Sequence, residues 1–134
     1  MEADPALTEQ IAAAAPFSGF LGIEVLTASP EEVRSRLAWD ERKCTAGGMM
    51  HGGALMSLAD AAGGLCAFLN LPETARCTAT IESKTNFFAP VREGWVNAVT
   101  RPLHTGKRTI VVDTELYDDG GKLVARVTQT QAVL

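Results

Sequence analysis

Residues 49–70 read MMHGGALMSLADAAGGLCAFLN, and the fold depends on how this stretch is taken. Two methionines, His51 and the pair Gly52–Gly53 precede a run that is apolar or small throughout, apart from Ser57 and Asp60. Leu, Met and Ala dominate it and no proline interrupts it, so it predicts a helix rather than a strand. Apolar residues fall on every side of that helix, which predicts that other structure wraps it rather than that it lies on a surface. The run is short for a membrane span and has a carboxylate at its middle, so no membrane association is expected. Burying a carboxylate is costly unless it is hydrogen-bonded, paired or protonated, so Asp60 calls for a specific role.

Working outward, Leu7 to Ala15 predicts a first helix with Thr8 as its cap and Pro16 as its stop. Ile23 and Val25 alternate with Glu24, and a turn follows over Ala28-Ser-Pro-Glu. Val33, Ser35, Leu37 and Trp39 then alternate with Glu32, Arg34, Arg36 and Ala38, predicting two antiparallel strands joined by that turn. Residues 40–50 contain Gly47-Gly48 and no periodicity, so they are expected to be a loop delivering the chain to the long helix. Beyond Leu71-Pro-Glu, strands are predicted over about 75–88, 95–104, 109–117 and 122–133. The breaks fall at Pro90 with Gly94, at Thr105-Gly106-Lys107 and at Asp118-Asp-Gly-Gly, the last a strong hairpin signal. Helix, two strands, buried helix, four strands is the order of an α+β fold in which a curved antiparallel sheet wraps a long central helix. One sheet of this length cannot enclose a helix completely, so a homodimer that extends the sheet is expected.

The 134 residues suit one domain with a sizeable core, so residues 1–134 are read as a single unit. A net charge of −4 lacks the basic balance of a nucleic-acid-binding module, and no nucleic-acid partner is expected. Cys44, Cys66 and Cys77 are odd in number and form no CxxC pair, which argues against a disulfide framework or a zinc knuckle. With only His51 and His104 beside them, no metal-ligand spacing emerges, and no metal is expected. The N-terminus carries Glu2 and Asp4 rather than a basic segment followed by an apolar one, so no signal peptide is expected and the cytoplasm is the default location.

His51-Gly52-Gly53 followed by Ser57-Leu-Ala-Asp60 resembles the corresponding motif of hotdog-fold acyl-CoA thioesterases. Asn86-Phe-Phe-Ala-Pro90-Val, Gly94, His104-Thr-Gly-Lys-Arg108 and Asp119-Gly-Gly-Lys-Leu-Val-Ala125 support the likeness, which runs from about Gly19 to the C-terminus. The chain most resembles the phenylacetate-degradation (PaaI-like) branch of the 4-hydroxybenzoyl-CoA thioesterase superfamily. The resemblance implies hydrolysis of a small aryl or medium-chain acyl-CoA by a homodimer that assembles into a homotetramer. It implies no cofactor beyond the coenzyme A carried by the substrate.

Thioester hydrolysis needs a donor for the developing oxyanion and a carboxylate that activates water or attacks the carbonyl. The amide of Gly52 or Gly53, at the start of the helix, offers such a donor, because amides there lack intrahelical partners and the helix dipole favours negative charge. By resemblance, Gly52 is the oxyanion donor and Asp60 the base or nucleophile. His51 is expected to order the turn rather than exchange protons. Eight residues at the α-helical rise separate Gly52 from Asp60 by roughly 12 Å, too far for one carbonyl to reach both. Two antiparallel helices across a two-fold axis would bring Gly52 of one chain near Asp60 of the other, giving two shared sites per dimer.

Substrate contacts are expected from Thr45, Met50, Ser57, Ser83, Thr85, Phe87 and Phe88. The resemblance also implies that the basic turn of His104, Gly106, Lys107 and Arg108 holds the coenzyme A phosphates, with Arg101 as a helper. Thr45 stands where some relatives carry Asn or Gln, Ala89 where some carry Ser or Thr, and Gly64 where other branches carry a hydroxyl residue. Ser83 and Thr85 are the expected substitutes for holding the water. Two competing readings are a hotdog hydratase or dehydratase, whose glycine-proline pattern is absent here, and a non-catalytic acyl-CoA-binding or sensing domain, against which Asp60 argues.

Overall fold

A computed structural model describes residues 1–134. Two short helices, α1 (Pro5–Ala14) and α2 (Pro16–Leu21), precede strands β1 (Glu24–Ala28) and β2 (Val33–Ala38). Two single-turn 3-10 segments lead to α3 (Gly52–Leu69), and β3 (Thr78–Phe87), β4 (Trp95–Thr105), β5 (Thr109–Tyr117) and β6 (Leu123–Val133) complete the chain. All six strands form one antiparallel sheet in the order β1-β2-β4-β5-β6-β3. This is the α+β hotdog arrangement expected, an antiparallel sheet against one long helix.

The N-terminal segment differs from expectation in two ways. Asp4, not Thr8, caps α1, accepting the Leu7 N–H at 3.0 Å, with Pro5 in the first turn where its missing N–H costs nothing. Thr8 instead ties the helix to β1: its hydroxyl accepts from the Val25 N–H at 2.9 Å. Pro16 does end α1, but it also opens α2, again as a first-turn proline, and α2 stops at Gly22 with φ +77°.

The core lies between α3 and the concave face of the sheet. Leu55, Leu58, Ala59, Ala62, Gly63, Cys66 and Ala67 are the buried face of α3. The N-terminal half meets Leu37, Val96, Ala98, Leu116, Val124, Ala125 and Val127. Its C-terminal half meets Val33, Ile110 and Val112. By length and hydropathy α3 passes for a membrane span, yet its inner face is this core.

As its length implied, the sheet of one chain does not enclose α3 on all sides. Asp60 is exposed, Met56 is 39% exposed and Phe68 56%. The sheet covers one side of α3, and on the other side only the α1–α2 hairpin lies near it, leaving a groove between them. At the sheet's edge, β3 is exposed along nearly its whole length and pairs only with β6.

Candidate active site

Four backbone amides open α3, and three have partners. His51, the N-cap, accepts the Gly53 N–H on Nδ1 at 2.8 Å, and its carbonyl accepts from Ala54 at 2.9 Å and Leu55 at 3.3 Å. The Gly52 N–H makes no hydrogen bond, so it is the free donor of this turn. Of the two glycine amides left open by the sequence, the structure therefore commits Gly53 to the cap. Above Gly52 lies the ring of Phe87, so close that a Cβ on Gly52 would come within 2.9 Å of Cζ.

Asp60 sits two turns further on, at the centre of the open side. Its Oδ1 accepts from the Thr80 hydroxyl at 3.2 Å. Thr80 in turn accepts from Gln131 Nε2 at 2.6 Å. Gln131 and Gln129 are buried and bonded to each other, and Gln129 Nε2 donates to the Ala59 carbonyl at 3.2 Å. A register shift in β3 between Thr80 and Glu82 makes Ile81 an extra residue. Without that bulge Thr80 and Ser83, an odd number of residues apart, would face opposite sides of the sheet. With it, Thr80, Ser83, Thr85 and Phe87 all pair with inward residues of β6, namely Gln131, Gln129, Val127 and Ala125.

A groove runs along α3 beneath the α1–α2 hairpin as three connected clefts. The first, about 510 Å³, is bounded by Arg42, Lys43, His51, Phe17 and Phe20. It shares Phe17, Gly53 and Ser57 with a second of about 510 Å³ that holds Asp60, Met56 and Ser83. That cleft shares Ala15, Ser18, Asp60 and Ala61 with a third of about 620 Å³, walled by Leu7, Ile11, Leu65, Phe68 and Leu69. The groove is therefore basic at one end and apolar at the other, with a carboxylate between. Arg42 is hydrogen-bonded to Asp40, whose carboxyl it holds far below the usual range, and Lys43 Nζ donates to the Ala38 carbonyl at 3.1 Å. Burial pushes the Cys66 thiol up to about 11, so it stays protonated at neutral pH and is no rival nucleophile.

The other expected residues divide. Ser57 lines the groove, but its hydroxyl is spent on the Gly53 carbonyl at 2.7 Å. Thr85 Oγ1 is buried without a partner. Phe88 is exposed beyond the end of β3. Thr45 is exposed in the loop, and Met50 is a core residue bridged to Cys44. Arg101 alternates with buried Thr100 and so points off the outer face, where it pairs with Glu32 at 2.7 Å, and it does not line the groove of its own chain. His104 lies near the end of β4, and Gly106, Lys107 and Arg108 form the β4–β5 turn, where the Arg108 carbonyl holds the end of β6. That is the end of the sheet against the C-terminal half of α3, and none of the four lines the groove.

Sequence reasoning missed Thr80, Gln129, Gln131, Lys43 and the hairpin that roofs the groove. A signal for two of them was present. Ala125 and Val127 set the phase of β6, and continuing it by twos places Gln129 and Gln131 on the buried face.

The sequence model of the thioesterase superfamily matches residues 47–125, more than half of the chain and all of α3. The chain belongs to the thioesterase superfamily. This thioesterase is 31% identical over 116 residues to the 1,4-dihydroxy-2-naphthoyl-CoA hydrolase of Escherichia coli, covering 87% of this chain and 85% of that one. Thioesterase HI1161 of Haemophilus influenzae superposes with a TM-score of 0.86 at 26% identity, covering 96% of this chain and 87% of that chain. A mutant of thioesterase PA1618 of Pseudomonas aeruginosa superposes with a TM-score of 0.87 at 29% identity, covering 95% and 93% of the respective chains. The protein is an enzyme, a thioester hydrolase, with the hotdog fold.

Proposed function

We propose that this thioesterase hydrolyses an acyl-CoA of the small aryl or medium-chain class, with Asp60 acting at the thioester and the Gly52 N–H of the partner subunit receiving the oxyanion. The observation that carries the reading is the order of groups along α3: cations, then a carboxylate, then an apolar cleft. An acyl-CoA has the same order, with phosphates at one end, an apolar acyl group at the other and the thioester between. The apolar cleft of about 620 Å³ is within the ordinary range for small-molecule sites. The phosphates lie toward Arg42 and Lys43.

As base, Asp60 takes a proton from water as the water oxygen attacks the carbonyl. The C–S bond then breaks, and the coenzyme A thiolate leaves and takes a proton. As nucleophile, Asp60 itself bonds to the carbonyl carbon, expels the thiolate and forms a mixed anhydride that water cleaves. His51 keeps the turn in place by holding Gly53.

The edge strand β3 supports this pairing between subunits. Gly52 lies beside Phe87 and Asp60 beside Thr80, at the two ends of a strand whose outer edge is free. When two such edges pair antiparallel, the Phe87 end of each meets the Thr80 end of the other. Gly52 of the partner subunit thereby approaches Asp60. The homodimer, its pairing into a homotetramer, membership of the PaaI-like branch and a cytoplasmic location belong to the same reading.

The test is thiol release from a panel of acyl-CoAs by the wild type and by Asp60→Asn. Release from aryl or medium-chain thioesters, falling about 10²- to 10⁴-fold on substitution, is the expected result. Tight acyl-CoA binding with no release by the wild type would overturn it and make the domain a sensor.

A further inference from the structure

We propose that Thr80 is a positioning residue for Asp60, fixed in that role by Gln131, Gln129 and the carbonyl of Ala59. The inference rests on the assignment of Asp60 above and extends it to residues on another part of the fold.

The reasoning begins at the carbonyl of Ala59, which can only accept. It fixes the amide of Gln129, whose Nε2 must face it and whose Oε1 must face the other way. Gln131 then has to turn its Nε2 toward that Oε1, and the second N–H of the same amide is directed at the Thr80 oxygen. A hydroxyl has one proton. With its oxygen already accepting from Gln131, the Thr80 proton is left to be donated, and the group it meets is Asp60 Oδ1 at 3.2 Å. Each amide orientation follows from the one before it, because reversing any of them would set two acceptors face to face in a buried place. Gln129 and Gln131 are 0% and 1% exposed, so water cannot relieve such a clash.

The chain of bonds closes on itself. It leaves the helix backbone at Ala59, crosses to β6, passes to β3 and returns to the side chain of the very next helical residue. Asp60 is exposed in the groove between α3 and the α1–α2 hairpin, so its own helix does little to hold its rotamer. The ring of bonds does, engaging Oδ1 and leaving Oδ2 without a protein partner on a residue that lines the groove. Gly63 is part of the same construction. A side chain there would run into the Gln129 amide, so glycine gives that amide its room beside α3.

The experiment compares Thr80→Val, which keeps shape and removes the hydroxyl, with Thr80→Ser, which restores it. Both are made beside Asp60→Asn and assayed on the acyl-CoA turned over fastest by the wild type. Thr80 is exposed, and thermal melts establish that the variants fold. Thr80→Val should lower kcat roughly tenfold or more, the scale of a hydrogen bond to a charged group, with KM within about twofold of wild type. Thr80→Ser should recover most of kcat. Thr80→Val with wild-type kcat, or with its loss confined to KM, overturns the inference, as does a Thr80→Ser variant no better than Thr80→Val. Asp60→Asn with wild-type kcat would instead defeat the assignment of Asp60, a distinguishable failure.

Discussion

His51 accepts the Gly53 N–H on Nδ1 at 2.8 Å, and in doing so it determines which amide of α3 is left for a substrate. Without this bond the two glycines would be equivalent donors. With it, only Gly52 is open.

Removing that single N–H is feasible because Gly52 is the first residue of α3, a position where proline is favoured, and His51 before it is extended at φ −61° and ψ 136°. The ring of Phe87 occupies the space a side chain would need, so Phe87→Ala is the background for the substitution. In that background Gly52→Pro should melt normally and lose about 10²- to 10³-fold in kcat, as expected for loss of an oxyanion donor. Gly52→Ala in the same background keeps the N–H and should keep most of the activity. Steady-state thiol release by the two double variants makes the comparison.

Sharing of the site predicts a definite yield on mixing. A heterodimer of a Gly52→Pro, Phe87→Ala chain with an Asp60→Asn chain has one site with both defects and one with neither catalytic defect. Random reassortment of equal amounts makes half the dimers mixed, and the intact site of each keeps the Phe87 beside its Gly52, so co-refolding inactive parents should restore about a quarter of the activity of the wild-type dimer. Absence of any recovery would show that each chain carries a complete site.

If Lys43 meets a phosphate at the basic end of the groove, Lys43→Glu should raise KM for an acyl-CoA by about fivefold, the scale of an exposed ion pair, and more at low salt. KM for the matching acyl-pantetheine, which lacks the nucleotide, should stay put. Equal effects on both substrates would place the phosphates elsewhere.

The neighbouring glycines of α3 should respond oppositely to the same substitution. A Cβ on Gly63 would strike Gln129, whereas one on Gly64 meets nothing within 4 Å. Gly63→Ala should cost about 1–3 kcal/mol in urea denaturation through overpacking. Gly64→Ala should be neutral or add up to about 1 kcal/mol from helix propensity.

Much of this was legible in the sequence, because the strands alternate cleanly and Asp118-Asp-Gly-Gly marks its hairpin without ambiguity. The long helix was legible from its apolar content, but that content also misled. A helix rich in Ala, Gly and Leu reads as apolar on all sides, although Asp60 and Phe68 share an open side with Met56. Pro16 reads as a stop because proline signals both a break and a first turn, and only the following residues distinguish the two. Arg101 and the 104–108 turn look like phosphate ligands by charge alone. Which end of the sheet a hairpin occupies depends on sheet order, which local patterns do not encode, whereas the outward face of Arg101 follows from its alternation with Val96, Ala98 and Thr100. Thr80 was out of reach for a subtler reason: its orientation depends on an inserted residue that carries no turn chemistry.

That residue, Ile81, gives the edge strand something like a reading frame of two. Excising it would leave β3 able to pair, yet everything on one side of the cut would change places, front for back. Thr80 would swing to the outer surface and Asp60 would lose its tether, with no residue at the groove altered in identity. Length changes of a single position in this strand are thus as consequential as any substitution in the motif, and an alignment that absorbs them in a gap would hide the difference between an active lineage and a silent one.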